Sequence, residues 1–210
     1  ASILYGSNAM GGVINISTIK QVEDGIKFNS RLLYGSYNTQ KYMGKVGFKK
    51  KGFNVFCSLN HDRTNGHRDS SDFKITNGYI KAGYDINDIW KVSADLSLAK
   101  FIASDPGPES GIAGERIDIL RGKTALSLEN NYRNIKGALK LYYNFGEHEI
   151  TDGWQSNDEL YGLMFYQGLN IIQGNTVTIG YDKMFYGGSG SPIITVLRDE
   201  DGNIVSGPEG

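Results

Sequence analysis

The stretch "KVSADLSLAKF", residues Lys91 to Phe101, decides how this chain reads. Val92, Ala94, Leu96 and Leu98 alternate there with Lys91, Ser93, Asp95 and Ser97. Successive side chains of a β-strand point to opposite faces, so this period of two makes a strand with one oily and one wet face. The same pattern sets Ile80, Ala82, Tyr84 and Ile86 against Lys81, Gly83 and Asp85. It returns in Phe53, Val55, Cys57 and Leu59 against Asn54, Ser58 and Asn60, with Phe56 breaking the polar row. Leu139, Leu141, Tyr143 and Phe145 form a further set, and Val177, Ile179, Tyr181 and Phe185 another.

Composition agrees with strands. The chain has 28 Gly, 13 Tyr and 9 Phe against 4 Pro, a balance that points to an all-β protein. Alternation predicts nine strands, at about 25–36, 40–50, 52–63, 74–86, 89–102, 119–132, 136–148, 160–172 and 175–187. No segment carries a helical period. No apolar run approaches the roughly 18 residues of a spanning helix, which excludes a helical membrane protein and leaves a membrane barrel open. No positively charged, apolar leader opens the chain, so no signal peptide is expected.

The formal charge of -1, with basic and acidic residues interspersed, argues against a nucleic-acid partner. Three His leave little for a metal cage, and no cofactor motif stands in the chain. The single cysteine, Cys57, reads as a small packed residue in "FNVFCSLNH". No Gly-x-Ser-x-Gly elbow, phosphate loop, zinc-protease motif or Cys-x-x-Cys pair is present, so no enzyme is expected. The glycine-rich "GPESGIAGER", Gly107 to Arg116, lacks a strand-to-helix context and reads as a loop.

Links carry the next level of information. Those at 49–52, 85–89, 132–136 and 172–175 are short and turn-like, whereas 63–73, 103–118, 149–159 and the residues after Gly187 read as long. The first, 37–40, is the short exception. Tight turns on one side and long loops on the other describe a barrel meander of the outer-membrane kind. Aromatic residues near strand ends, among them Tyr34, Tyr79, Trp90, Tyr132 and Tyr161, fit girdles at the two interfaces.

"YGSNAMGGVINI", Tyr5 to Ile16, resembles the end of the plug domain of TonB-dependent outer-membrane receptors. "YGSYNTQKYMGKVGF" and "GHRDSSDFKITNGYIKAGYDI" resemble the first barrel strands of that family, especially its vitamin B12 and ferric-siderophore branches. "NFGEHEITDGW" and the text from Glu159 to Gly188 look like receptors of this class from gut bacteria. The resemblance implies a plug motif at Tyr5, Gly6, Gly11, Gly12 and Asn15, with residues 1–20 closing the plug. Residues 21–210 would then be the first strands, about nine, of an antiparallel up-and-down meander in a 22-stranded transmembrane barrel. It also implies an internal piece of a longer receptor, lacking the N-terminal TonB-binding segment and most of the plug. Partners implied are outer-membrane lipid, the TonB complex through that missing segment, a surface lipoprotein, and a small-molecule or metal-chelate ligand captured by plug and outer loops.

On that orientation the segment "HDRTNGHRDSSD", His61 to Asp72, lies outside. His61, Arg63, His67 and Arg68 suit an iron chelate, a haem propionate or a corrin side group, because Arg offers a planar fork to carboxylate or phosphate. Asp62, Asp69 and Asp72 equally fit a calcium-type oxygen site, and the whole segment fits a solvated loop held by Asp-Arg pairs. In "GEHEITDGWQSNDE", Trp154 can stack on a planar or sugar ligand or pack the loop. "LRDEDGNIVSG" superficially suggests calcium through Asp199, Asp201 and Asn203, but Gly210 stands where the last ligand belongs, so a hairpin turned at Asp201-Gly202 is expected. The runner-up class is a soluble or surface β-sheet adhesion module. A third reading, a lipid-hydrolysing barrel, needs His61 or His148 beside a serine and a carboxylate.

Overall fold

The structure, a computed structural model, describes residues 23–108, 114–151, 153–172, 174–192, 197–198 and 204–206. The plug-like motif of Tyr5, Gly6, Gly11, Gly12 and Asn15 lies outside these residues, as do Asp199, Asp201 and Asn203. Nine strands follow one another: β1 (Gly25–Gly35), β2 (Thr39–Lys50), β3 (Phe53–Thr64), β4 (Phe73–Asp85), β5 (Trp90–Ser104), β6 (Arg116–Tyr132), β7 (Ile135–Ile150), β8 (Trp154–Ile172) and β9 (Asn175–Pro192). They form one antiparallel sheet in sequence order, β1 to β9, with β1 and β9 at its open edges. A second, two-stranded sheet pairs β10 (Leu197–Arg198) with β11 (Ile204–Ser206), as expected for a hairpin. The described residues contain no helix.

Register turns the alternation of each strand into two continuous faces. Val55, Ala82, Ala94, Leu126, Leu141 and Leu163 stand on one side, because Val55 pairs with Ala82, Ala82 with Ala94, Ala94 with Leu126, Leu126 with Leu141 and Leu141 with Leu163. The opposite side carries Lys81, Asp95, Ser127 and Lys140, in pairs such as Lys81 with Asp95 and Ser127 with Lys140. A one-residue slip would put every leucine on the wet side, so the two-faced pattern specifies the register strongly.

This sheet has no core. Among the described residues the only buried hydrophobic side chain is Ala138, at 1% exposure. The apolar face is uncovered: Leu126, Leu141, Ile179 and Tyr181 are all exposed. Polar-face residues are better shielded on β3, β4, β5, β7 and β8, and along β5 the exposed Ala94, Leu96 and Leu98 alternate with half-buried Asp95, Ser97 and Ala99. The sheet therefore curls towards its polar side.

Several strands run further than alternation predicts. β8 starts at Trp154 rather than near 160, so only 151–153 separate it from β7, and the expected long link at 149–159 is a tight turn. β6 begins at Arg116 and β9 continues to Pro192, through the linker-like Gly187, Gly188, Ser189 and Gly190. Past Phe145 and Tyr161 the side chains on both faces are largely polar, which removes the periodic signal. The backbone ladder does not need that signal, and each added residue keeps its partner, as in Asp158 with Gly188 and Trp154 with Pro192. Strand length rises from 11 residues in β1 to 19 in β8, and because Thr64, Phe73, Ala103, Ile117, Ile150, Trp154 and Pro192 share one cross-strand row, nearly all the added residues lie at the other end, that of the tight turns after β2, β4, β6 and β8.

Candidate functional site

Functional side chains collect at the end of the sheet away from the tight turns after β2, β4, β6 and β8, here called the outer end. Four links meet there, and hydrogen bonds lace them into one rim. Asn65 N donates to Tyr37 O at 2.8 Å, and the Thr39 and Thr64 hydroxyls share a 3.0 Å bond, which ties 36–38 to 65–72. Tyr37 itself has a left-handed φ of 58° and sets its ring edge-on to His67, with centroids 6.4 Å apart. Arg68 Nη2 donates to Gly107 O at 2.9 Å, joining the second link to the third. Ser104 Oγ donates to Asp72 at 2.8 Å and accepts from Arg116 Nη1 at 2.9 Å. Arg116 N in turn donates to Thr151 Oγ1 at 2.8 Å, which brings in the fourth link. The Ser104 hydroxyl, and after it the Arg116 guanidinium, hold the Asp72 carboxyl below its ordinary value of 3.8, against the opposing cost of desolvation.

Beneath this rim the polar face changes character. Phe73, Ala103, Ile117, Ile150 and Trp154 stand in one cross-strand row, and Ile75, Phe101, Ile119, His148 and Ser156 in the next. Phe73 and Phe101 are in ring contact at 6.3 Å, and Trp154 is 43% exposed. Together they make an aromatic and aliphatic shelf on a face that is otherwise hydrophilic. Below it, Arg121 reaches across Gly146 to Asp158, with Nη1 2.6 Å from Oδ2, and Tyr142 crosses Gly162 to reach Asp182 at 3.3 Å. The bare glycines leave room for these crossings, since a Cβ at Gly146 would lie 2.5 Å from Arg121 Nη1 and one at Gly162 would lie 2.5 Å from Tyr142 Oη and 2.6 Å from the Lys183 backbone oxygen. Such a surface can hold a ligand with a planar or apolar body against the shelf and polar groups below it.

The residues singled out from sequence divide among three places. His67, Arg68 and Asp69 lie in the rim link 65–72, with Arg68 committed to the carbonyls of the neighbouring link and His67 and Asp69 exposed. Trp154 opens β8 and belongs to the shelf, not to a loop. His61 and Arg63 sit on β3 and share the parity of the apolar face, pointing away from the shelf. His61 stacks on Tyr42 at 6.2 Å and bonds Thr76 Oγ1 through Nδ1 at 2.7 Å. Asp62, Asp69 and Asp72 are not brought together, since Asp62 pairs with Lys41 at 3.7 Å and Asp72 with Arg116. Among the described residues no three His, Cys, Asp or Glu side chains converge on a metal position. Ser156 is the cross-strand partner of His148, but no hydrogen bond joins the two, and the nearby Asp158 is taken by Arg121.

Sequence reasoning missed most of the shelf. Its signal is a change of parity: Phe73, Ile75, Phe101, Ile117 and Ile119 are apolar residues at positions where their strands otherwise place polar ones. No family model matches the chain, and no curated protein is significantly similar to it.

Proposed function

We propose that this chain is part of the wall of an outer-membrane β-barrel. One observation carries the reading: a nine-stranded meander whose apolar face is continuous and covered by nothing in the described structure. Ten residue steps from Ile135 to Phe145 at about 3.4 Å, tilted by about 40°, rise about 26 Å, which matches the apolar band of about 25 Å in such barrels. Aromatic residues bound the band, with Phe48, Phe53, Tyr84 and Trp90 at the turn side and Tyr143, Phe145, Tyr161 and Phe185 at the other. Three pairs of these are in ring contact, Phe48 with Phe53 at 6.3 Å, Tyr143 with Phe145 at 5.9 Å and Tyr161 with Phe185 at 5.3 Å.

Within that class we read the protein as a section of a TonB-dependent receptor that takes up a scarce, large ligand such as a metal chelate, corrinoid or haem. The resemblance at Tyr5 to Ile16 supports this. So does the polar inner wall leading from the shelf of Phe73, Phe101 and Trp154. Open edges at β1 and β9 require further strands to close a barrel.

The test is saturable binding by the protein in detergent, against a panel of cobalamin, haem, ferric siderophores and oligosaccharides. The expected result is one binder, weakened at least tenfold by Phe101→Ala with Trp154→Ala. A protein that is folded and monodisperse in plain buffer would overturn the membrane reading and favour a soluble β-sheet module.

A further inference from the structure

The apolar face ends, on the outer side, in a collar of charges that is sorted by sign. On β3 to β5 the collar is basic, with Arg63 and Lys74 in one row and His61 and Lys100 in the next. On β6 to β8 it is mainly acidic, with Asp118, Glu147, Glu149 and Glu159, and the one cation there among the described residues, Arg116, is already paired with Asp72. Lys100 is neutralised by Asp118 at 3.0 Å. Arg63 and Lys74 are direct cross-strand partners on the same face, both exposed, and among the described residues neither has a carboxylate in salt-bridge range. Arg63 makes only a 3.4 Å contact to the amide oxygen of Asn65. Two cations opposite one another in adjacent strands repel, and that arrangement is stabilised when an anion lies between them.

Height along the barrel wall says which anion. Arg63 stands ten residues beyond Phe53, and Lys74 ten before Tyr84, both counted from the turn side. That is the distance at which Phe145 marks the outer edge of the band on β7. Both cations therefore reach headgroup level, with Leu59 and Ile80 on the same strands and Leu96 on the adjoining β5 below them to take acyl chains. We infer that Arg63 and Lys74 form a docking site for the phosphate of an outer-leaflet lipid. This rests on the membrane reading above and adds to it a specific lipid contact on the outside of the wall, away from the ligand shelf.

The test is titration of the detergent-solubilised protein with lipid A, a bisphosphorylated glycolipid, and with its dephosphorylated form, followed by native mass spectrometry. Lipid A is expected to bind saturably, the dephosphorylated form at least tenfold more weakly, and millimolar inorganic phosphate to displace neither. Arg63→Gln with Lys74→Gln should reduce lipid A binding at least tenfold, while Glu147→Gln with Glu149→Gln leaves it unchanged or raises it. In lipid-free micelles the Gln pair should unfold at the same or a higher denaturant concentration than the parent, because a repulsion is removed. Equal lipid A binding by the Gln pair overturns the site, as does full displacement by inorganic phosphate. A protein that needs detergent but binds no phosphorylated lipid overturns the site alone, whereas one that folds in plain buffer overturns the membrane reading beneath it.

Discussion

Leu141→Arg tests which medium the apolar face meets. Leu141 is 45% exposed, between Leu126 and Leu163 on that face. Six residues from the inner end of β7, at about 3.4 Å each and a tilt of about 40°, it sits about 16 Å into a band of about 26 Å. An arginine at such depth in a barrel costs about 2–4 kcal/mol, or about 30- to 700-fold in the folded ratio. In water the same exposed change would stay within about 0.5 kcal/mol. The native Lys183 on this face is eight residues from the inner end of β9, about 5 Å short of the outer edge, where its stem can snorkel. Its Nζ lies 5.0 Å from the Phe185 ring centre, at the aromatic boundary. Ala125→Arg is the control, on the polar face directly opposite Asp95, and should cost less than about 1 kcal/mol. Both variants are refolded into phosphatidylcholine vesicles and unfolded in denaturant, with the fluorescence of Trp90 and Trp154 as the signal. If Leu141→Arg unfolds with the parent, or the two variants lose equal stability, the assignment of faces to lipid and lumen is wrong.

Two predictions concern the outer end. Because the Asp72 carboxyl is held below its ordinary 3.8, its contribution to rim stability is fully present above that value and disappears as pH falls through the lower folded value. Amide exchange in 65–72, corrected for intrinsic rates, should accelerate in that acid range in the parent, and Asp72→Asn should abolish the step; a parent with no acid step would sink this account. Gly146→Val should separate Arg121 from Asp158, since its Cβ would lie 2.6 Å from Asp158 Oδ2, and should destabilise by about 1–2 kcal/mol in a denaturant melt. In a background of Arg121→Ala with Asp158→Ala the loss should shrink, and an undiminished loss would place the cost in the backbone instead.

Alternation alone determined the nine strands, their order of appearance and which residues share a side of each strand. It could do so because pleating forces a period of two and because the valines and all the leucines but Leu160 occupy one parity of the strands from Phe53 to Phe185. It stopped at the ends of the band: in "WQSNDEL" and "YGGSGSP" polar or small residues occupy both parities, so sequence suggests loops where the backbone ladder continues. Tertiary structure decided what depends on register between strands. Arg63 and Lys74 are eleven residues apart in the chain and meet because β3 and β4 pair at that step. Phe73, Ile117 and Trp154, scattered over three strands, become one shelf in the same way. His61 and His67, neighbours in one polar stretch, end on different parts of the wall because β3 continues through the first and the rim link holds the second. Spacing along the chain carries the pleat, but only hydrogen-bonded pairing between strands brings distant side chains to one place.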